Sequence, residues 1–269
     1  MKWHKNLIIG GMMVGVAACS SGNELEDFPE IPPTTLYSEA VGLMNKGDFR
    51  DAAKKFEEVD KQHPYSEWAE RAILMSSFSY FQAGQLDESA SAARRFLSLH
   101  PASEEAPYAQ YLIAQAHYNR LSDIGRDQTE ARRALAAYTE IVRLYPESRY
   151  ASEAEARQSE ILNHLAGKDM EVGRFYLGRD NYVAAINRFR SVISDYQTTQ
   201  HVEEALLRLT EAYYALGVVN EAQTAAAVLG HNYPDSEWYA DAYKLLQSGG
   251  LEPVEDRGSW ISRTLRRVS

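Results

Sequence analysis

The chain has 269 residues, with 28 Lys and Arg against 38 Asp and Glu and a net charge of −10. That acidity excludes a general nucleic-acid binder, because neutralising phosphates needs a basic face. One cysteine excludes an internal disulfide framework and any Cys-rich metal site, and 9 Pro with 16 Gly are too few for a turn-dense β-sandwich.

The first element is an address. Lys2 and Lys5 precede an apolar run of twelve residues, Leu7 to Ala18. Such a run is short for a hydrocarbon core of about 30 Å but suits the h-region of a signal peptide, residues 1–18. It ends in Val16-Ala17-Ala18-Cys19, which resembles the lipobox of bacterial lipoproteins. The resemblance implies cleavage before Cys19 and acylation of that residue, with each buried CH₂ worth about 0.8 kcal/mol of membrane affinity. Ser20 stands where an Asp favours inner-membrane retention in enterobacterial lipoproteins, which implies the outer membrane. Residues 19–35, with Pro29, Pro32 and Pro33, read as a flexible lipidated tether.

The body repeats. Five segments between residues 35 and 236 share small and aromatic landmarks at a spacing that resembles the tetratricopeptide (TPR) pattern, two antiparallel helices per unit. The first carries Ala40, Ala52 and Phe56; the second Ser77, Ser89, Ala93 and Phe96. The third carries Ala114, Ala134, Tyr138 and Ile141, with an insertion at Leu121 to Gln128. The fourth carries Gly173, Ala185, Phe189 and Val192, and the fifth Thr210, Ala222, Ala226 and Leu229. Gly47, Gly84 and Gly217 fall between the helices of a pair, where a left-handed residue closes a helix at little steric cost. Pro64, Pro101, Pro146 and Pro234 stop the second helices, with Gln197 in that place in the fourth unit. Ser66, Ser103, Ser148 and Ser236 follow two residues later and are expected to cap the next helix with their hydroxyls.

Between Arg149 and Arg179 only isolated glycines interrupt, which predicts one long helix joining the third and fourth units. Glu237 to Gln247 reads as a capping helix. The fold class is therefore all-α: a right-handed superhelical solenoid of about five TPR pairs with a C-terminal cap. The divisions are residues 36–147 for units 1–3, residues 148–247 for the long helix, units 4–5 and the cap, and residues 248–269 for a flexible basic tail. In that tail Ile261, Leu265 and Val268 share a helical face, and Trp260, Arg263, Arg266 and Arg267 are candidates to touch a partner or an anionic membrane surface.

The signatures of nucleophilic, phosphate-binding, dinucleotide and metal chemistry are absent from the sequence, and the seven His are scattered. No enzyme, cofactor or metal is expected. What remains is binding surface. Tyr65, Trp68, Phe78, Tyr80, Phe81, Tyr111 and Tyr118 are candidates to line a groove for an extended segment ending in an aromatic residue. Each also has a plain reading as core. Arg188 and Arg190 flank the landmark Phe189 and suit pairing with a partner's carboxylates.

Lipobox, Pro-containing tether, five TPR units, the third-unit insertion and the long helix together resemble the BamD family. These are the TPR lipoproteins of the outer-membrane β-barrel assembly machinery. Arg126-Asp127-Gln128, and Asn187-Arg188 after Tyr182-Val183-Ala184, resemble segments of that family. The resemblance implies a scaffold on the periplasmic face of the outer membrane. It implies Arg188 and the C-terminal units as contacts for a POTRA domain of BamA, other Bam lipoproteins as neighbours, and N-terminal units receiving C-terminal segments of unfolded outer-membrane proteins. The alternative is a TPR lipoprotein that recruits peptidoglycan or cell-division factors.

Overall fold

The computed structural model describes residues 30–265. Cys19, the expected signal peptide and most of the expected tether lie outside the described residues, as do Arg266, Arg267 and Val268. The described residues from Pro32 onward form one compact unit. Among the described residues there are twelve helices and no strand. They are α1 (Pro33–Asn45), α2 (Phe49–Gln62), α3 (Ala69–Gln82), α4 (Leu86–Leu99), α5 (Ala106–Tyr118), α6 (Thr129–Leu144), α7 (Ala151–Leu177), α8 (Tyr182–Asp195), α9 (Val202–Ala215), α10 (Val219–Asn232), α11 (Glu237–Ser248) and α12 (Trp260–Leu265). Each of α1 to α10 packs on the next, giving five helix pairs in series, and α11 covers α9 and α10.

The second helix of every pair buries the same pattern, residues i, i+4 and i+7. These are Ala52-Phe56-Val59, Ser89-Ala93-Phe96, Ala134-Tyr138-Ile141, Ala185-Phe189-Val192 and Ala222-Ala226-Leu229, all essentially inaccessible. At 3.6 residues per turn these three positions form one stripe, so each second helix meets its own first helix and the next one through small and large side chains in alternation. The small residue at Gly173 serves this approach directly, since Phe189 lies against its Cα.

Four of the five turns within pairs share one geometry, the third pair being joined by the inserted loop instead. Gly47, Gly84 and Gly217 have φ of +85°, +72° and +73°. In the second pair Gly84 N–H donates to the Phe81 carbonyl and Gln85 N–H to the Tyr80 carbonyl, a double closure of the helix end. The fourth pair makes the same bonds with Asp180, whose φ is +58°. The turns between pairs also share a geometry. His63, His100, Tyr145 and Tyr233 end their helices with φ near −130°, as the following proline requires. Tyr196 adopts it too, ahead of Gln197.

Three expectations change. The serines do not cap as expected. Ser66, Ser103 and Ser148 sit ahead of the helix-capping residues inside a tight turn, where their carbonyls accept from Ala69, Ala106 and Ala151 at 3.1 Å. The hydroxyls of Ser66, Ser148 and Ser236 are buried without a partner, and only Ser103 Oγ accepts a nearby amide, Glu105 N–H at 3.2 Å. The tether is shorter than expected, because Pro33 opens α1, where a missing N–H costs nothing. Finally, the segment expected to be a flexible tail is seated on the body as far as Leu265. Gln223 Nε2 donates to the Glu252 carbonyl at 2.7 Å, Asp256 N–H to Thr224 Oγ1 at 3.1 Å and Ser259 Oγ to Glu221 at 2.6 Å. Ile261 is fully buried against α8 and α10. Three polar anchors and one apolar plug offset the entropy of ordering a short strap.

Candidate protein-binding surfaces

The predicted aromatic residues separate into three groups. Tyr65, in the turn between α2 and α3, is wholly exposed. Trp68 opens α3 half-buried, 4.9 Å from the Tyr37 ring, which meets Phe56 edge-on at 5.1 Å. Phe78 and Phe81 lie in the last turns of the same helix, about 15–20 Å away along its axis, and pack on the core of the second and third pairs. Tyr80 is buried, and its hydroxyl donates to Glu57 Oε1 at 2.9 Å. Burial first, then that bond, pushes its phenol up to about 12. Tyr80 is thus a core residue, and Trp68 does not converge with Phe78 and Phe81 on one groove.

Tyr111 and Tyr118 lie in a different setting. α5 and α7 are the first helices of consecutive pairs, and their facing side chains form a ladder. Tyr150 stacks on Tyr111 at 4.8 Å and on Tyr108 at 5.7 Å. Tyr111 donates to Glu153 at 3.0 Å, and Tyr118 to Glu160 at 2.5 Å. Arg157 reaches the Tyr118 hydroxyl at 2.9 Å, lies over its ring at 4.6 Å and pairs with Glu160 at 2.9 Å. Burial pushes the Tyr108 and Tyr111 phenols up to about 12. Sequence reading singled out these tyrosines but missed Tyr150, Glu153, Arg157 and Glu160. Their spacing of three and four residues along the long helix was the available signal.

Farther along α7 the inserted loop borders an open depression of about 630 Å³, lined by Leu121, Ile124, His164, Gly167, Glu171 and His201. One residue holds the loop: Gln128 Nε2 faces the carbonyls of Asp123, Ile124 and Arg126 at 3.0–3.2 Å. Lys168 Nζ reaches the Gly125 carbonyl at 3.0 Å. Burial pushes the His201 imidazole below its ordinary value, and His164 Nε2 is buried without a partner.

Arg188 and Arg190 are not brought together. Arg188 faces α7 and pairs with Asp169 at 3.2 Å, where burial raises the carboxyl and the guanidinium opposes it. Arg190 lies over the Trp260 ring at 4.7 Å, and Trp260 Nε1 donates to Tyr213 Oη at 3.1 Å. Two residues apart on one helix, they point to different neighbours. Arg190 and Trp260 therefore serve the strap, while Arg263 is exposed. Among the described residues no three His, Cys, Asp or Glu side chains gather as metal ligands, and no helix is long and apolar enough to cross a membrane.

A series of packed helix pairs presenting aromatic and charged faces defines a helical-repeat protein. The family described as "YfiO: Outer membrane lipoprotein" matches residues 29–229, and the chain belongs to it. Relatives bearing the name outer membrane protein assembly factor BamD include that of Caulobacter vibrioides, 42% identical over 84% of this chain and 74% of the relative. That of Rickettsia prowazekii is 39% identical over 90% of this chain and 95% of its own length. The Neisseria meningitidis serogroup A relative is 31% identical over 89% and 95%.

Proposed function

We propose that this protein is a lipid-anchored scaffold, held to the outer membrane through Cys19, that takes part in assembling outer-membrane proteins. The observation that carries the reading is the match to assembly factors named BamD along nearly the whole chain. Its partners are BamA, through a POTRA domain, the other Bam lipoproteins, and C-terminal segments of unfolded barrel proteins. It acts by binding, without covalent chemistry or a cofactor. Tyr65 supports a receiving role, because an aromatic ring left entirely in water at a turn is available to a partner. Arg188 supports a relay. Its bond to Asp169 ties α8 to α7, the helix that borders the tyrosine ladder.

The test is affinity capture of the full-length lipoprotein from outer membranes in mild detergent. Co-purification of a protein with POTRA repeats and a barrel is expected. Recovery of peptidoglycan hydrolases or division proteins in its place would overturn the assembly reading. Two variants divide the mechanism. Tyr65→Ala with Trp68→Ala is expected to weaken binding of barrel-protein C-terminal peptides, and Arg188→Glu to weaken binding of BamA.

A further inference from the structure

The C-terminal strap shows what a groove between two second helices can hold. It is seated between α8 and α10 on four side chains. Arg190 lies over the Trp260 ring and Tyr213 Oη accepts from Trp260 Nε1. Glu221 accepts from Ser259 Oγ, and Thr224 Oγ1 accepts the Asp256 N–H. The repeat places a counterpart to each of these in the first two pairs. Arg190 follows the landmark Phe189 as Glu57 follows Phe56. Glu221 precedes Ala222 as Glu88 precedes Ser89, and Thr224 lies two residues beyond Ala222 as Ser91 lies two beyond Ser89. Tyr213 stands four residues before Gly217, as Tyr80 stands four before Gly84. The groove between α2 and α4 thus keeps the tyrosine, the glutamate and the hydroxyl, and exchanges the arginine for a glutamate. The grooves between them do not. Between α4 and α6 the glutamate becomes Arg133 and the hydroxyl Ala136, and between α6 and α8 the glutamate becomes Ala184.

The groove between α2 and α4 is open, with a volume of about 360 Å³. Ile73 and Ala92 give it an apolar lining, and Ser76, only 1% exposed, has its hydroxyl buried there without a partner. Glu88 and Ser91 are exposed at its edge. Where the filled groove has Ile193 and Val228, the open one has Asp60 and Arg95, paired at 2.7 Å. Its carboxylates, Glu57, Asp60 and Glu88, outnumber its cations, Lys61 and Arg95, so its field is negative. Carboxylates and hydroxyls accept hydrogen bonds, and a guanidinium or ammonium supplies donors that carry the opposite charge. Glu57, in the place where Arg190 meets an indole, is therefore suited to a cation. The segment ahead of α1 carries Glu24, Glu26, Asp27 and Glu30, the same sign as the groove, and the strap is seated at the other end of the stack. The complementary chain belongs to another protein.

We propose that the groove between α2 and α4 docks a short basic amphipathic helix of a partner protein, seated as α12 is seated between α8 and α10. The site does not depend on the part the protein plays in outer-membrane assembly. The test measures binding of two fluorescent peptides to the full-length lipoprotein in detergent. One has the sequence of residues 256–265, and the other the same sequence with Trp260→Arg. The Trp260→Arg peptide is expected to bind about tenfold more tightly than the native sequence. Ser91→Trp, at an exposed position that a large side chain blocks without disturbing the core, is expected to weaken it about tenfold. Glu57→Arg is expected to reverse the order of the two peptides, and if that variant fails to fold, Ser91→Trp decides alone. No saturable binding of the Trp260→Arg peptide, or binding that Ser91→Trp leaves intact, overturns the site. Equal affinity for the two peptides overturns the basic occupant, and tighter binding of the native sequence overturns it in favour of the strap of a second copy.

Discussion

Phe189 lies with one ring edge against the backbone of Gly173. A Cβ at Gly173 would stand 2.8 Å from Phe189 Cζ and 2.9 Å from Cδ1, closer than carbon atoms approach. Phe189 is itself fully buried, so its ring has nowhere to retreat. The contact seats α8 on α7 and thereby sets where Arg188 meets Asp169. Gly173→Ala is expected to lose about 1–3 kcal/mol by overpacking, less about 1 kcal/mol of recovered helix propensity. Urea unfolding measures it. Gly42, in α1 with open space around its missing Cβ, is the control: Gly42→Ala is expected to be neutral or stabilising.

The intra-pair turns give a prediction of opposite signs at equivalent places. Gly84→Ala places a side chain at φ +72° and is expected to cost about 1–2 kcal/mol. Asp180→Gly relieves a left-handed Asp and is expected to gain a few tenths to about 1 kcal/mol. The gain is reduced by loss of the 2.8 Å bond from Tyr182 Oη to Asp180 Oδ1, which is exposed. Thermal midpoints moving in the same direction for both variants would contradict this account.

Removing the Trp260 side chain beside the plug of the C-terminal strap is expected to open it. Trp260→Ala deletes the Arg190 contact and the bond to Tyr213, for an expected cost of about 1–2 kcal/mol. The strap, residues 250–265, is then expected to become the first site of limited proteolysis. Arg263→Ala, at an exposed neighbouring position, is expected to leave both readings unchanged.

Alkaline stability follows from the buried phenols. Tyr80, Tyr108 and Tyr111 are raised from the ordinary 10.0 to about 12, chiefly by burial. Their protonated forms are favoured by folding, so the stabilisation is complete below pH 10 and is lost as pH rises through about 12. Denaturation midpoints are expected to fall steeply across that interval. Phenolate absorbance measured alongside should show a class of tyrosines that ionises only as the fold is lost. Tyr111→Phe removes one such group and is expected to make the fall shallower.

The buried stripes of the second helices were legible in the sequence because repetition exposes them: Phe56, Tyr138 and Phe189 recur among small residues at a fixed spacing. The long helix and the turn glycines were legible for local reasons, a lack of breakers and a backbone conformation that favours glycine. The binding surface was legible only in part. Tyr111 and Tyr118 were visible as aromatic residues near a repeat landmark, but their partners Glu153 and Glu160 lie 42 residues away in the chain. Trp68 and Phe78 were candidates for one groove, yet Trp68 precedes the first turn of α3 and Phe78 lies toward its other end.

Helical period alone determined that the chain builds paired helices, where each pair turns and which face of each second helix is buried, since all of these depend on residues within a few turns of one another. Which first helices share a surface was decided only by the stacking of pairs, and with it the tyrosine ladder between α5 and α7. The same stacking created the groove between α8 and α10 that receives Ile261 and Trp260. A side chain's periodicity names the face it occupies on its own helix; the helix that comes to meet that face is chosen by packing across the whole stack.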